Sequence, residues 1–317
     1  MDKLLIVDGH CDSILEAAKG IRSLAEKSEL GHLDFSRLQG RVNLQFLALF
    51  IESVYKPSNT LLRTLELIDT ANCEISRVNY ISKVLVKSDL NCFEDLEVKI
   101  LLAVEGGEAL CGSLAVLRSL FALGIRSITL TWNHCNEIAD GCGVGNYGRG
   151  LSLFGREVVN EMNRLGMAVD VSHLSDKSFW DVLEISSQPI IASHSCCKKL
   201  VPHPRNLSDE QLKAVAMNKG IIGINFYPAF LNTIPSEATI DDIVKHIIYA
   251  AEVAGTEHVG LGSDFDGIDQ VPLGMEDVTK INLLASKLEK AGFTSKEIAN
   301  IMGNNFIRVL KKVLPDG

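Results

Sequence analysis

The first residues of this chain that could do chemistry are His10 and Asp12, which follow the apolar run LLIV at residues 4–7. A short run that is apolar throughout is typical of a strand buried on both faces. Because residues i and i+2 of a strand point to the same side, His10 and Asp12 can reach one ion together. Cys11 then faces the opposite way, where packing is its expected role. Imidazole with carboxylate suits Zn²⁺, with Mn²⁺, Co²⁺ and Fe²⁺ as alternatives.

Further ionisable residues follow other apolar runs at once. Glu105 comes directly after ILLAV, and three more histidines each follow a run within a residue or so: His134, His173 and His194. Such groups would be costly to bury unpaired at one end of a sheet, and a cation removes that cost. Glu105 has no basic neighbour in the sequence, so bridging two ions would give it a partner. A two-metal site can generate hydroxide at neutral pH and polarise a carbonyl.

Three residues that lie later in the chain could take part in a reaction. Asp264 follows the last apolar run, where a carboxylate could take the proton of an attacking water and return it to a leaving amine. Asp266 either shares that role or forms a plain Asp-Gly turn with Gly267. Arg205, in the segment HPRN, either anchors a substrate carboxylate by two parallel hydrogen bonds or is an ordinary surface arginine.

The elements that must position these residues are eight short apolar runs, interpreted as strands: Leu4–Asp8, Val42–Phe50, Ile100–Val104, Ser127–Thr131, Met167–Val171, Pro189–Ser193, Gly220–Phe226 and His258–Ser263. Amphipathic stretches between them are predicted to be helices: Thr60–Leu85, Gly112–Leu123, Ser152–Leu165, Asp176–Ile185, Asp209–Asn218, Ile240–Ala254 and Glu276–Ala291. Capping boxes are expected at Ser208 with Gln211 and at Thr294 with Glu297. Eight alternating units favour a closed (β/α)₈ barrel over an open doubly wound sheet. In such a barrel the strand ends named above meet at the catalytic face.

The chain is expected to form a single domain over residues 1–317, because no linker rich in Pro, Gly or Ser divides it. The glycine-rich segment Gly141–Gly150 lacks the pattern of a dinucleotide or phosphate loop and is interpreted as a flexible loop.

Composition excludes several partners. The net charge of −9 and a pI near 5.4 argue against nucleic acid or an anionic membrane surface. The first apolar run is too short for a signal peptide, and no stretch approaches the roughly 18 apolar residues of a membrane span. The eight cysteines contain no C-x-x-C pair. They are expected to be reduced thiols, and the protein to be cytoplasmic.

The order and spacing of ten segments make the chain resemble the membrane (renal) dipeptidases, peptidase family M19, and among them the shorter soluble bacterial members. The segments are DGHCD at 8–12, GRVNLQFLALFI at 40–51, VEGGEAL at 104–110, LTWNHCNEIADG at 130–141, DVSHLSD at 170–176, ASHS at 192–195, HPRNLSDEQL at 203–212, INFYP at 224–228, GLGSDFDGI at 260–268 and MGNNFIRVL at 302–310. The family commonly has Asn where this chain has Cys11.

The resemblance implies a (β/α)₈ barrel with two Zn²⁺ ions per chain that hydrolyses dipeptides. It implies that His10 and Asp12 bind one zinc and that His173 and His194 bind the other, bridged by Glu105. It further implies that Asp264 is the acid/base residue and that His134 contacts the scissile carbonyl or its oxyanion. Arg205 and Tyr227 would hold the substrate carboxylate. A homodimer is also implied.

Two other functions stay open at this point. Another metal-dependent amidohydrolase, acting on a small amide or lactone, would use a similar barrel, although those enzymes usually begin with His-x-His where this chain has His10 and Asp12. A non-catalytic barrel that serves as a scaffold would be expected to have lost a ligand. The sequence also leaves open whether a dipeptide substrate ends in an L- or a D-residue.

Overall fold

The computed structural model describes residues 4–94 and 96–317. Its sheet contains nine strands: β1 Val7–Asp8, β2 Leu44–Phe50, β3 Ile81–Lys83, β4 Val98–Glu105, β5 Ile125–Thr129, β6 Ala168–Asp170, β7 Ile191–Ser195, β8 Ile221–Ile224 and β9 Val259–Leu261. Every pairing between them is parallel. All-parallel sheets need helical connections that cover both faces, and the long stretches between the strands supply them.

Eight of the nine strands close into a barrel. β2 pairs with both β1 and β4, and β1 pairs with β9, so the circuit returns to its start. β3 lies outside this circuit and pairs only with the first residues of β4, before β5 begins to pair at Leu102. Each of the eight predicted runs contains or overlaps one barrel strand. The predicted (β/α)₈ fold is confirmed.

The α-helices are α1 Ile14–Ala18, α2 Phe35–Leu38, α3 Thr60–Ser76, α4 Leu114–Ala122, α5 Leu153–Leu165, α6 Asp176–Ile185, α7 Asp209–Met217, α8 Pro228–Leu231, α9 Ile240–Ala254, α10 Leu283–Lys290, α11 Ser295–Ala299 and α12 Asn305–Val313. Both predicted capping boxes form, at Ser208 with Gln211 and at Thr294 with Glu297. Each satisfies two backbone N–H groups that the first turn leaves free, which fixes where α7 and α11 begin.

Two predicted helix ranges are wrong at one end. The helix predicted over Thr60–Leu85 ends at Ser76, because Ile81–Lys83 pairs with β4 as β3. The helix predicted from Glu276 begins only at Leu283. Before it, the Asp277 side chain accepts the N–H of Thr279 and holds a short 3₁₀ turn. The glycine-rich segment also contains short 3₁₀ turns within Cys142–Tyr147, interrupted by a kink at Gly145, where φ is 59°.

The barrel interior is packed and leaves little room at its centre. A Cβ added at Gly262 would lie only 1.9 Å from the Ser193 carbonyl oxygen, so glycine is needed for this close approach. Below this level, Phe306 and Val309 of α12 pack against interior residues of β1, β2 and β4. The ionisable residues of interest lie at the other end of the strands.

All eight cysteines are free thiols, as expected. Cys11 is fully buried and its Sγ lies 3.3 Å from the Phe46 carbonyl oxygen, so the expected packing role agrees with its surroundings. In the described part of the chain, no helix combines the length and the apolar character needed to span a bilayer.

Candidate metal centre

The side chains at the carboxyl ends of the barrel strands form one buried cluster. We call His173 and His194 the histidine half, and His10, Asp12 and Asp264 the carboxylate half. Glu105, the last residue of β4, lies between the halves. Its Oε1 is 3.0 Å from His173 Nε2, and its Oε2 is 3.5 Å from His10 Nε2. One carboxylate therefore presents one oxygen to each half.

In the histidine half, two imidazoles face each other. His173 Nε2 and His194 Nε2 are 2.9 Å apart, and His194 Nε2 lies 3.6 Å from Glu105 Oε1. The other ring nitrogen of each histidine has its own partner: His173 Nδ1 is 2.8 Å from Asn133 Oδ1, and His194 Nδ1 is 2.7 Å from Ser193 Oγ. Because Asn133 Oδ1 can only accept, His173 carries its proton on Nδ1 and directs the lone pair of Nε2 into the cluster.

In the carboxylate half, two carboxylates converge on His10. Its Nε2 lies 3.3 Å from Asp12 Oδ2 and 3.9 Å from Asp264 Oδ1. The second oxygen of Asp264 accepts a hydrogen bond of 2.9 Å from Asn225 Nδ2. An added Cβ at Gly267 would lie 2.1 Å from Asp12 Oδ2, so this glycine lets the backbone pass close to the carboxylates.

Two residues of the cluster have left-handed backbone conformations. The φ angle is 69° at His173 and 64° at Asp264. Histidine and aspartate enter this region more often than most residues, but it remains less favourable than the ordinary regions. The unusual backbone turns both side chains toward Glu105 and His10.

The electrostatics of the two halves differ. Burial, together with the nearby Arg205 charge, lowers the pKa of His173 to about 4. Burial lowers the pKa of His10 too, but the Glu105 and Asp12 carboxylates outweigh it and hold the pKa well above its usual value. Burial and the Glu105 charge raise the pKa of Asp12 to about 7. The histidine half is thus neutral at neutral pH, and the carboxylate half attracts positive charge.

The residues present fit divalent cations. His10 Nε2 and Asp12 Oδ1 are buried and have no hydrogen-bond partner among the residues that the structure describes. The ligand atoms of His10, Glu105 and His194 all lie within 4.8 Å of one another, as do those of His10, Asp12 and Asp264. Imidazole nitrogens together with carboxylate oxygens are the ligand set of zinc and similar ions. All five sequence-predicted metal ligands therefore lie in one cluster.

A cavity of about 180 Å³ opens onto this cluster. Phe50 and Trp132 form part of its wall, with ring centroids 5.4 Å apart, beside Asp12, Glu105 and Asp264. Pockets for drug-sized ligands are larger, roughly 300–1,000 Å³. The cavity therefore suits a small molecule that presents a polar group to the cluster and an apolar group to the aromatic wall.

His134, a predicted contact of the scissile carbonyl, is exposed. Its ring lies edge-on to Trp132 with 5.8 Å between the centroids, and Trp132 in turn lies 6.2 Å from the His173 ring. The structure thus places His134 behind the tryptophan that lines the cavity. Its role in the reaction stays a prediction.

Arg205 and Tyr227 come together on a shared aromatic surface. The Tyr227 and Phe230 ring centroids are 4.9 Å apart, and the Arg205 guanidinium carbon lies 5.5 Å from the Phe230 centroid. Arg205 is buried and donates from Nη2 to the His194 carbonyl oxygen at 2.9 Å. Its Nε has no partner. Arg205 is therefore not a surface arginine, and it retains hydrogen-bonding capacity beside the histidine half.

Asp266, the alternative to Asp264 as a proton carrier, is used elsewhere. Its Oδ2 accepts hydrogen bonds from Arg22 Nη2, at 2.6 Å, and from Ser13 Oγ, while its Oδ1 accepts the N–H of His32 at 2.6 Å. The Gly267 N–H donates to the Asp264 carbonyl oxygen. These contacts favour the turn interpretation of Asp266-Gly267.

Several residues that contact the candidate site are not predicted from the sequence. Asn133, Ser193 and Asn225 contact the selected side chains, and Asp170 contacts Ser193. Most lie within motifs already noted for their histidines. Metal-binding histidines usually donate their second N–H to an oxygen acceptor. A short polar side chain beside a predicted ligand is therefore the sequence feature that indicates such a partner.

Buried imidazoles and carboxylates at the carboxyl end of a (β/α)₈ barrel define the class of metal-dependent hydrolases. The chain belongs to the membrane dipeptidase family, peptidase family M19, whose family model matches residues 1–314. The family predicted from the sequence is confirmed, and with it the enzyme class, a metallo-dipeptidase.

Relatives and solved structures agree with this assignment. An uncharacterized dipeptidase of Schizosaccharomyces pombe is 39% identical, over 97% of this chain and 80% of its own length. The dipeptidase tcpJ of Claviceps purpurea is 36% identical, over 90% of this chain and 70% of its own length. A metallo peptidase from Rhodobacter sphaeroides, solved with a phosphinate mimic of L-Ala-D-Ala, superimposes with a TM-score of 0.92 at 25% identity, covering 98% of this chain and 100% of its own.

Proposed function

We propose that this protein is a zinc-dependent dipeptidase whose substrates include dipeptides with a C-terminal D-residue, and that residues 1–317 act as one catalytic domain. The observation that carries the proposal is Glu105, which offers one oxygen to each half of a buried cluster beside a small cavity. The similar Rhodobacter sphaeroides enzyme, solved with a mimic of L-Ala-D-Ala, supports the D-residue.

Two Zn²⁺ ions would be held by the two halves, one by His10 and Asp12 and the other by His173 and His194, with Glu105 shared. When bound, such ions lower the pKa of water and polarise a carbonyl oxygen. The protein supplies ligands that are already assembled and a cavity wall, formed by Phe50 and Trp132, that limits the access of bulk water.

Asp264 is proposed to carry the proton. Its Oδ1 faces the cluster while Asn225 holds Oδ2, so the free oxygen can accept the proton of the attacking water and return it to the leaving amine. Burial raises the pKa of Asp264, and the Glu105 charge raises it further, against the lowering effects of His10 and Asn225. A raised pKa brings the group closer to the range in which it can both take and give a proton.

Arg205 and Tyr227 are proposed to bind the substrate carboxylate, and His134 the scissile carbonyl. The Nε of Arg205 has no partner, and burial strengthens any ion pair made there. The small cavity excludes long chains, while binding of both a free amine and a free carboxylate selects dipeptides. His134 would have to turn inward past Trp132 to reach the carbonyl.

The function is tested by measuring hydrolysis of matched L-L and L-D dipeptides, a tripeptide and an N-acylated amino acid, with Zn²⁺ and with chelator. We expect turnover of dipeptides that chelator abolishes and Zn²⁺ restores. Turnover of only the acylated amino acid would instead support the wider amidohydrolase function.

The proton role is tested by Asp264→Asn. Loss of a general acid/base residue typically costs about 10²–10⁴-fold, so kcat should fall by that range while zinc content stays unchanged. Asp266→Asn is the matched control, since Asp266 pairs with Arg22 and should affect stability more than kcat. Unchanged turnover in Asp264→Asn would remove this residue from the mechanism.

A further inference from the structure

The carboxylate of Asp170, at the end of β6, is buried and accepts four hydrogen bonds. Its Oδ1 accepts the N–H groups of Ser172 and Ser193, both at 3.0 Å. Its Oδ2 accepts the hydroxyls of Thr129, at 2.6 Å, and of Ser193, at 2.5 Å. Every partner is a donor, so this carboxylate only accepts.

These contacts determine where the proton of His194 lies. Ser193 Oγ carries a single proton, which it donates to Asp170. His194 Nδ1 lies 2.7 Å from the same oxygen and must therefore donate to it. Ser172 Oγ lies 3.3 Å from Ser193 Oγ and can only add a second donor there. The Nε2 of His194 is left with its lone pair, directed toward Glu105.

We propose that Asp170 and Ser193 form a relay that fixes the tautomer and ring orientation of His194, and so sets the affinity of the histidine half for its metal ion. The inference rests on the proposed function for its catalytic consequence only. Metal-binding histidines often donate directly to a carboxylate. Here one serine hydroxyl stands between the two, and Ser193 and Asp170 are positioning residues.

The barrel contains a matched pair that lacks the imidazole. Ser263 donates its N–H to Asp8 Oδ1 at 2.7 Å and its hydroxyl to Asp8 Oδ2 at 2.6 Å, as Ser193 does to Asp170. The other groups near the Ser263 hydroxyl belong to the backbone: it accepts the N–H of Phe265 at 3.2 Å and lies 3.2 Å from the His10 carbonyl oxygen. Removing this hydroxyl should disturb a buried carboxylate equally without acting on a histidine side chain.

The first experiment is ¹⁵N NMR of the histidine rings in the metal-free wild-type protein, which needs no variant. We expect His194 to be protonated on Nδ1, with an unprotonated Nε2. A metal-free protein with His194 protonated on Nε2 would overturn the relay, whether or not the protein cleaves dipeptides.

The second experiment compares Ser193→Ala, Ser193→Thr and Ser263→Ala by Zn²⁺ titration and by NMR. Loss of an outer partner of a metal ligand typically costs about 10–100-fold in affinity, so Ser193→Ala should weaken one of two zinc equivalents by that factor and mix the His194 tautomers. Ser193→Thr keeps the hydroxyl and should restore both readouts. Ser263→Ala should leave the His194 tautomer unchanged.

Equal zinc affinities and equal His194 tautomers in Ser193→Ala and Ser263→Ala would contradict the relay. If Ser193→Ala does not fold, Thr129→Val removes one of the four donors to Asp170 and tests the same connection with a smaller expected loss of affinity. A protein that shows the expected tautomer and affinities but cleaves no dipeptide would contradict the proposed function and leave the relay intact.

Discussion

The histidine half and the carboxylate half of the cluster present the same kinds of ligand atom but hold them differently. In the histidine half, Asn133 and Ser193 each accept a hydrogen bond from the Nδ1 of a predicted ligand and leave its Nε2 available. In the carboxylate half, His10 Nε2 and Asp12 Oδ1 have no hydrogen-bond partner. One half is arranged in advance by neutral hydrogen bonds, and the other is held by the attraction between opposite charges.

This difference indicates how the site assembles. The imidazoles of the histidine half are neutral and their Nδ1 partners fix the tautomers, although the facing Nε2 lone pairs, 2.9 Å apart, also favour a cation between them. Buried carboxylates repel each other unless a positive charge lies between them. The carboxylate half therefore depends on a proton or a cation. Variants that act on one half alone can test the distinction.

The largest effect is expected from Glu105→Gln, because Glu105 serves both halves. Zinc binding should weaken in both equivalents, and kcat/KM should fall by more than the roughly 10²-fold that loss of an outer partner costs. Zinc content and steady-state kinetics give the measurement. Glu108→Gln is the control, since Glu108 pairs with Lys56 at 2.9 Å. Loss of only one zinc equivalent in Glu105→Gln would contradict the shared role.

A smaller effect, restricted to one half, is expected from Asn133→Ala. His173 loses the acceptor of its Nδ1 proton, so one zinc equivalent should bind about 10–100-fold more weakly. Asn225→Ala is the counterpart, because Asn225 contacts Asp264 and should lower kcat with both zinc affinities retained. Weakening of both equivalents by Asn133→Ala would show that the halves are not independent.

The pH dependence of zinc binding should also differ between the halves. The pKa of Asp12 is raised to about 7 and that of His10 lies above its usual value, so the metal-free carboxylate half retains a proton that an incoming cation must displace. Its affinity should rise with pH, by up to about tenfold per unit for each proton displaced, through pH 7 and on until His10 has lost its proton. The histidine half, with the pKa of His173 at about 4, should release no proton above about pH 5. Calorimetry in buffers of different ionisation enthalpy measures this, and equal proton release would contradict it.

The smallest effect is expected from Cys11→Ala. Cys11 lies between the predicted ligands His10 and Asp12 but points into the core, where it contacts the Phe46 carbonyl oxygen. The free energy of unfolding should fall by about 1 kcal/mol, with activity and zinc content unchanged. Urea unfolding measures the loss, and Cys73→Ala on the exposed side of α3 should show almost none. Lower zinc content in Cys11→Ala would assign this residue to the metal centre.

The clustering of the predicted metal ligands followed from the sequence because a parallel barrel brings every strand end to one rim. Position after an apolar run was therefore enough to select His10, Glu105 and His173. The relay was not predictable in this way, because Ser193 and Asp170 lie on neighbouring strands and meet only through their register and rotamers. The exposure of His134 likewise depends on the path of a loop that no periodic pattern specifies.

Element ends were less predictable for a related reason. The pattern of α3 continues into residues 78–83. Ile81–Lys83 nevertheless forms a strand, because the first residues of β4 pair with it before β5 begins to pair at Leu102. Similarly, Asp277 holds a 3₁₀ turn where apolar spacing predicts helix. In both places a contact made by one side chain or one strand edge outweighs the local preference of the sequence.

The left-handed backbone at His173 and Asp264 bears on the stability of the folded chain. Such conformations cost of order 1 kcal/mol or more for residues other than glycine. A lineage selected for stability alone would therefore gain from glycine at both positions, and it would lose a predicted metal ligand and the proposed proton carrier together. At these two positions, stability and the proposed reaction therefore favour different residues.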